Sequence, residues 1–179
     1  MGDETMDNQQ AKAMMEMGWL IGFLEGEGSF MLQKQKYSKQ KAVLRPRIHM
    51  SSTDFELVEK AGEILKSLNV GSYFHRIKHD TRGWKDQMEL VVSGIKRCKS
   101  LLDQIIPFMT DSRKKKAAET LLSFCELRLS KPHQAVYGIQ EYGLGQKLRE
   151  LNGYHHRQSF RDSTRDVFDH DTKVESALA

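Results

Sequence analysis

Two carboxylates carry the clearest chemistry in this sequence. Glu25 and Glu27 stand two residues apart in Leu20-Ile21-Gly22-Phe23-Leu24-Glu25-Gly26-Glu27-Gly28. On a helix, side chains two apart diverge by about 200°, so the pair cannot share one site within a single chain. Glu27 falls where a helical pattern gives way to strand alternation. That is the negative end of the helix dipole, where a carboxylate is disfavoured by about 0.3–1 kcal/mol. A neighbouring positive charge would offset this, and a divalent cation would suffice. Oxygen-only donors, the Glu27 carboxylate with a main-chain carbonyl such as that of Gly26, suit Mg2+ rather than zinc. An exposed acidic turn is the plain alternative, and composition alone favours it.

Gly18, Gly22 and Gly26 recur every four residues through the same helix. Each interior glycine costs up to about 1 kcal/mol relative to alanine, so the row needs a reason. Small residues at this spacing make a flat stripe on which a second helix can approach closely, a geometry described for membranes but not confined to them. The alternative is a helix that ends at Gly18 or Gly22.

Residues 31–50 carry Lys34, Lys36, Lys39, Lys41, Arg45 and Arg47 without one acidic residue, and Arg113-Lys114-Lys115-Lys116 form a second cluster. Acidic residues gather in the first ten positions, between Asp54 and Glu63, and near the C-terminus. This segregation says more than the net charge of +4 or the pI of about 9.0. A solvated basic face explains either cluster singly; together they favour a polyanionic partner. His75, His79, His133, His155 and His156 match no zinc spacing. Cys98 and Cys125 sit in apolar helical patterns without metal-spaced partners, and read as buried free thiols of a reducing compartment.

The elements that must position these groups form an α+β order. Residues 1–10 are polar and read as a frayed, flexible N-terminus. A helix follows from Ala11 to Leu24. After Gly28 the period becomes two: a hairpin runs through residues 29–37 and 42–50, with one apolar and one basic face, and Pro46 suggests an edge strand or a bulge. Ser51-Ser52-Thr53-Asp54 caps a helix to about Leu68, stopped at Asn69-Val70-Gly71. Strands at Ser72–His79 and Trp84–Ser93 come next, then helices from about Lys96 to Ile106 and Arg113 to Leu129. Helical pieces near Ala135–Tyr142 and Gln146–Asn152 precede a polar tail at 161–179. A chain of 179 residues thus reads as one domain over residues 11–160, built on a four-stranded antiparallel sheet.

Leu20 to Gly28 resembles the LAGLIDADG motif in its LAGFIDGEGSF-like form, and Ser29-Phe30 extends the likeness. The glycines, the leading leucine and the final acid make the pattern specific, and it sits at the expected helix-to-strand passage. Likeness runs from about residue 16 to 168. It includes the Arg47–Asp54 strand-to-helix passage, Pro107-Phe108 to Ala117, and Gln146–Asn152. These segments resemble single-motif homing endonucleases encoded in ribosomal-RNA group I introns, of the LAGLIDADG fold with extra C-terminal helices.

That resemblance implies a site-specific endonuclease cutting both strands of a long pseudo-palindromic DNA target as a homodimer. Gly18, Gly22 and Gly26 then become the dimer seam. Glu27, the motif's last acid, holds a divalent metal at the scissile phosphates, with the Gly26 carbonyl as second ligand. Mg2+ is expected, and Mn2+ or Ca2+ could occupy the site. Glu25 matches the earlier, structural acid. The implied chemistry is metal-assisted phosphodiester hydrolysis. The family's polar residue at the end of the second strand falls on Ser51 or Ser52, with Ser52 as the candidate, where glutamine or asparagine is more usual. Its assisting lysine falls on Arg113 or Lys114, of which an arginine cannot serve as a base.

Double-stranded DNA is expected across the polar sheet face. Parity assigns to it Ser29, Met31, Gln33, Gln35 and Tyr37 from the first strand and Val43, Arg45, Arg47 and His49 from the second. Arg76 and Lys78 come from the third, and Lys85, Gln87 and Glu89 from the fourth. Antiparallel ribbons fit the major groove, where Arg and Gln suit guanine and adenine edges. Simple solvent-facing strand residues are the alternative. Lys114, Lys115, Lys116, Lys147, Arg149 and Arg157 are placed as phosphate contacts.

A maturase that binds its own intron RNA is a second reading; a catalytically dead DNA-binding regulator is a third, against which Glu27 argues. No run of about 18 apolar residues is present, so no membrane partner is expected. The opening Met1–Met6 lacks the regions of a secretory signal, and Met6 replaces the Ser or Thr of a myristoylation motif. An intracellular protein of a chloroplast, a mitochondrion or a prokaryotic cytoplasm is the expectation.

Overall fold

Leu20 and Ile21 lie one helical turn before Leu24, and the burial of all three commits the glycine-rich stretch to a helix. Their burial stabilises it by roughly 1.5–3 kcal/mol each, against roughly 1 kcal/mol lost at each glycine. Helix α1 therefore runs unbroken through Gly18 and Gly22, over Asp3–Glu27. It also begins earlier than the frayed start expected of residues 1–10, because Gln9, Gln10, Ala11, Lys12 and Ala13 are good helix formers. The computed structural model of the chain describes residues 3–36, 42–79, 83–132 and 135–153.

Strands β1 (Gly28–Lys36) and β2 (Ala42–Ser52) form the expected hairpin. Helix α2 (Phe55–Ser67) follows, capped by the Asp54 carboxylate, which accepts the Glu56 N–H. Asn69 adopts φ 57° and stops it, as a left-handed residue does after a helix C-terminus. Strands β3 (Tyr73–Ile77) and β4 (Gln87–Ser93) complete one antiparallel sheet in the order β1-β2-β4-β3. Helix α3 (Ile95–Ile105), a 3-10 turn at 106–108, and helix α4 (Arg113–Leu129) pack behind it. The fold is α+β, with the core between one sheet face and the helices: Phe30, Ile48, Met50, Leu90 and Val92 meet Leu65, Leu101, Leu121 and Phe124.

Two expectations change. The two C-terminal helical pieces are one helix, α5 (Ile139–Leu151). It continues through Gly145 because the helix is buried against the sheet there: a Cβ would make ordinary contact, 3.8 Å from both Leu32 and Leu44. Pro46 lies on a central strand, not an edge. The β2–β4 ladder ends at Arg47, and the Pro46 carbonyl on that side instead accepts from Gly94. The absent N–H points the same way, so no ladder bond is lost.

A buried ion pair joins α4 to α5. Arg128 Nη1 donates to Glu141 Oε1 at 3.0 Å, and Lys131 Nζ to the same oxygen at 2.8 Å. Burial alone would raise the Glu141 carboxyl, but these bonds and the Gly138 N–H outweigh it and hold it below the usual range. Both cysteines are buried free thiols, and burial pushes the Cys98 thiol up to about 12. No helix among the described residues is long and apolar enough to cross a membrane.

Candidate functional site

Glu27 is the last residue of α1 and is exposed; Gly28 opens β1 with no linker between. A Cβ on Gly28 would lie 2.4 Å from the Leu24 carbonyl oxygen. Only glycine lets the strand leave so tightly. Lys114 comes to this corner from the first turn of α4, whose N-cap Ser112 accepts the Lys115 N–H at 3.3 Å. The Lys114 ammonium donates to the Gly28 carbonyl. Burial pushes it below the usual lysine range; the Glu27 carboxylate opposes the shift and the Arg113 charge adds to it. Glu25 turns elsewhere: its Oε1 accepts the Thr110 N–H at 2.9 Å and the Thr110 hydroxyl at 2.5 Å. The two acids thus hold separate positions, as their spacing requires.

Directly opposed residues of neighbouring strands share a face, so the register assigns the open side of the sheet. Ser29 faces His49, Met31 faces Arg47, Gln33 faces Arg45 and Gln35 faces Val43. These expected positions are brought together. Arg47 Nη1 donates to Gln33 Oε1 at 3.0 Å, tying the two strands. His49 Nδ1 lies 3.9 Å from Glu89 Oε1. Burial pushes His49 below the usual histidine range; Glu89 opposes this, and the Arg47 and Lys114 charges add to it. The corner at Glu27 and the open face are therefore one electrostatic neighbourhood.

Strand β3 corrects the parity expected for it. His75 opposes Glu89 and Tyr73 opposes Val91, so Tyr73, His75 and Ile77 stand on the open face. Arg76 opposes Met88 and points to the helix side, where its guanidinium sits 5.0 Å from the Phe55 ring and bonds Asp86 at 3.0 Å. Lys78 and Lys85 lie outside the strands, so parity does not place them, whereas Gln87 and Glu89 keep their expected face. Sequence reasoning missed Tyr73, His75 and Ile77 because β3 is exposed on both sides and shows no alternation. Only the partner strand reveals its phase.

Ser52 is corrected as well. It opposes Met88 on the helix side, and its hydroxyl accepts the Asp54 N–H at 3.0 Å. Ser51, opposite Glu89, occupies the open face instead. Lys115 Nζ donates to the Met109 carbonyl at 3.3 Å, while Arg113 and Lys116 are exposed. Lys147 is exposed on α5, which packs behind the sheet rather than on its open face. Tyr37 and Arg157 lie outside the described residues, as does the polar tail.

A sequence profile of the LAGLIDADG-like domain matches residues 14–105, from the middle of α1 to the end of α3. The chain belongs to the LAGLIDADG-like domain family. A comparison with curated protein sequences finds no match. Among solved structures, the fold is similar to the archaeal intron-encoded homing endonuclease I-Vdi141I complexed with DNA. There the TM-score is 0.61 at 18% identity, over 80% of this chain and 88% of that one. The homing endonuclease I-CvuI, in complex with its target in the presence of Ca, gives 0.58 at 14% identity, over 82% and 87%. The LAGLIDADG meganuclease I-AabMI, bound to uncleaved DNA, gives 0.57 at 17% identity, over 81% of this chain but 47% of that one. At these identities the likeness is one of fold.

The LAGLIDADG helix α1 presents two unlike sides. Leu20, Ile21 and Leu24 enter the core, while a Cβ on Gly18, Gly22 or Gly26 would meet nothing within 4 Å. No atom of the described residues covers the stripe. Among the same residues no three His, Cys, Asp or Glu side chains gather as a metal cluster.

Proposed function

We propose that this chain is a site-specific DNA endonuclease that works as a homodimer with a divalent cation. The observation that carries the reading is the corner at the end of α1. Glu27, the Gly28 carbonyl and Lys114 meet where the LAGLIDADG helix passes into the open sheet face. A duplex lying on Ser29, Gln33, Arg45, Arg47 and His49 would bring its phosphates to Glu27. Arginine and glutamine suit guanine and adenine edges, and exposed Lys116 would contact the backbone.

The donor set fits a divalent cation. Glu27 is an exposed carboxylate at a helix C-terminus, where the last carbonyls, that of Gly26 among them, lack intrahelical donors. Oxygen donors suit Mg2+, and Mn2+ or Ca2+ could use the same atoms. When bound, the cation activates water and neutralises charge at the phosphate. Around it, Lys114 orients the attacking water and accepts its proton, and Arg113 contributes charge alone. One chain offers one such carboxylate, and a second copy packed along Gly18, Gly22 and Gly26 supplies the other. The DNA complexes of I-Vdi141I and I-AabMI support duplex DNA as the substrate. The intron origin of I-Vdi141I supports intron homing.

The test uses purified chain, Mg2+ and a pool of plasmids carrying randomised inserts. Cleaved inserts should be near-palindromic. Glu27→Gln should abolish cutting yet retain gel-shift binding in Ca2+. Normal cutting by that variant would show the chemistry is misassigned. Sedimentation should give a dimer, and Gly22→Trp a folded monomer. A chain that binds folded intron RNA and never nicks DNA would instead be a maturase.

A further inference from the structure

Glu25 lies two residues before Glu27, and its carboxylate has no place in the chemistry proposed above. It is nevertheless bonded across 85 positions of sequence, accepting both donors of Thr110 on one oxygen. Thr110 stands two residues ahead of Ser112, the N-cap of α4. Lys114 follows in the first turn and returns to the Gly28 carbonyl. Glu27 is thus flanked by Glu25, two residues before it, and Gly28, directly after it, both bonded to the segment that starts α4. The contacts close a ring: Glu25 to Thr110, along the backbone to Lys114, then back to Gly28.

We propose that Glu25 is a positioning residue: its clip on Thr110 sets the start of α4 so that Lys114 stands beside Glu27. Resting on the endonuclease reading, this gives the motif's earlier acid a task at the site through a lysine it does not touch. The geometry supports it in two ways. A carboxylate accepting a backbone N–H and a hydroxyl together fixes direction as well as distance, since charge-assisted hydrogen bonds are the stronger kind. The first turn of α4 has no acidic residue; Ala117 and Ala118 pack the helix into the core, and the clip and Lys114 tie its start to the end of α1. Releasing the clip lets the first turn of α4 swing, and a lysine displaced by an ångström serves poorly.

The experiment compares wild type with Glu25→Ala, Thr110→Val and Thr110→Ser. Thr110→Val removes one donor at nearly constant shape, and Thr110→Ser keeps both. The first readout is independent of nuclease activity: the rate at which acetic anhydride modifies the Lys114 amine, read by mass spectrometry. Exposed Lys116 serves as the internal reference. Lys114 should be protected in wild type and in Thr110→Ser, partly released in Thr110→Val, and released toward the Lys116 rate in Glu25→Ala. The second readout is single-turnover cutting of the recovered target. It should fall by about 100-fold in Glu25→Ala, the scale of an ångström misplacement, with unchanged affinity for that DNA in Ca2+. Thr110→Ser should cut as wild type. Unchanged Lys114 protection in a folded Glu25→Ala protein would overturn the proposal. If Glu25→Ala does not fold, the difference between Thr110→Val and Thr110→Ser decides it. A wild-type chain that cuts nothing yet shows the protection pattern would sink the endonuclease reading and leave the clip standing.

Discussion

The Lys114 ammonium donates to the carbonyl of Gly28 across 86 positions of sequence, joining the start of α4 to the residue that follows Glu27. The amine stands half-buried at this corner, where desolvation makes it easier to deprotonate than an ordinary lysine. On the proposed function, Lys114→Met lowers single-turnover cutting by about 10²–10⁴-fold, the usual range for losing a general acid or base. Its melting temperature should barely move. Lys114→Arg keeps the charge but cannot take a proton, so it should recover little activity. Recovery to near wild type would reduce Lys114 to a fixed charge.

Gly28→Ala should unfold the corner. Its Cβ would lie 2.4 Å from the Leu24 carbonyl oxygen and 2.9 Å from the Leu24 Cα. Both are backbone atoms, which no rotamer change can move. A loss of about 3 kcal/mol or more is expected, at the severe end for one substitution. Chemical denaturation measures it, with Gly143→Ala as the contrast, since a Cβ there meets nothing within 4 Å.

Arg128→Met leaves the buried Glu141 carboxylate with Lys131 and the Gly138 N–H alone. It should cost about 1–3 kcal/mol, the penalty of a buried group left short of a partner. Glu141→Leu in the same chain should restore part of that loss, because Arg128 and Glu141 are almost wholly buried at 6% and 0% exposure. Thermal melts of the single and double variants check the coupling; strict additivity would contradict it.

His49 makes stability depend on pH. Its folded pKa lies below the ordinary 6.5, chiefly through burial. As pH falls through 6.5, the unfolded chain takes up a proton that the folded chain resists. Stability is therefore lost on acidification, and the loss levels off below the folded pKa. Urea melts at neutral and mildly acidic pH should show a smaller loss in His49→Gln than in wild type. Equal losses would place the titration elsewhere.

Much of this molecule could be read from local pattern. Arg113–Leu129 follows from its helical spacing, and β1 and β2 from strict alternation, because one face of that hairpin is buried and the other polar. Where a segment lacks such contrast, the reading fails. Tyr73-Phe74-His75-Arg76-Ile77 does not alternate, since an edge strand is exposed on both sides. Parity counted along the sequence put Arg76 on the open face, but its position opposite Met88 decides otherwise. Gly143 and Gly145 broke a helical pattern that the packing of Gly145 on Leu32 and Leu44 keeps whole.

By itself the sequence determined the family, the helix-to-strand junction at Glu27-Gly28 and the divergence of the Glu25 and Glu27 side chains, because all three rest on residues within one or two helical turns. Tertiary structure alone decided that Lys114 rather than Arg113 reaches the corner, that Ser51 rather than Ser52 stands on the open face, and that Glu25 is bonded to Thr110. Those outcomes depend on where distant segments meet. Helix phase and strand register at such meetings are set by the packing of the whole core, and no local window of residues contains that information.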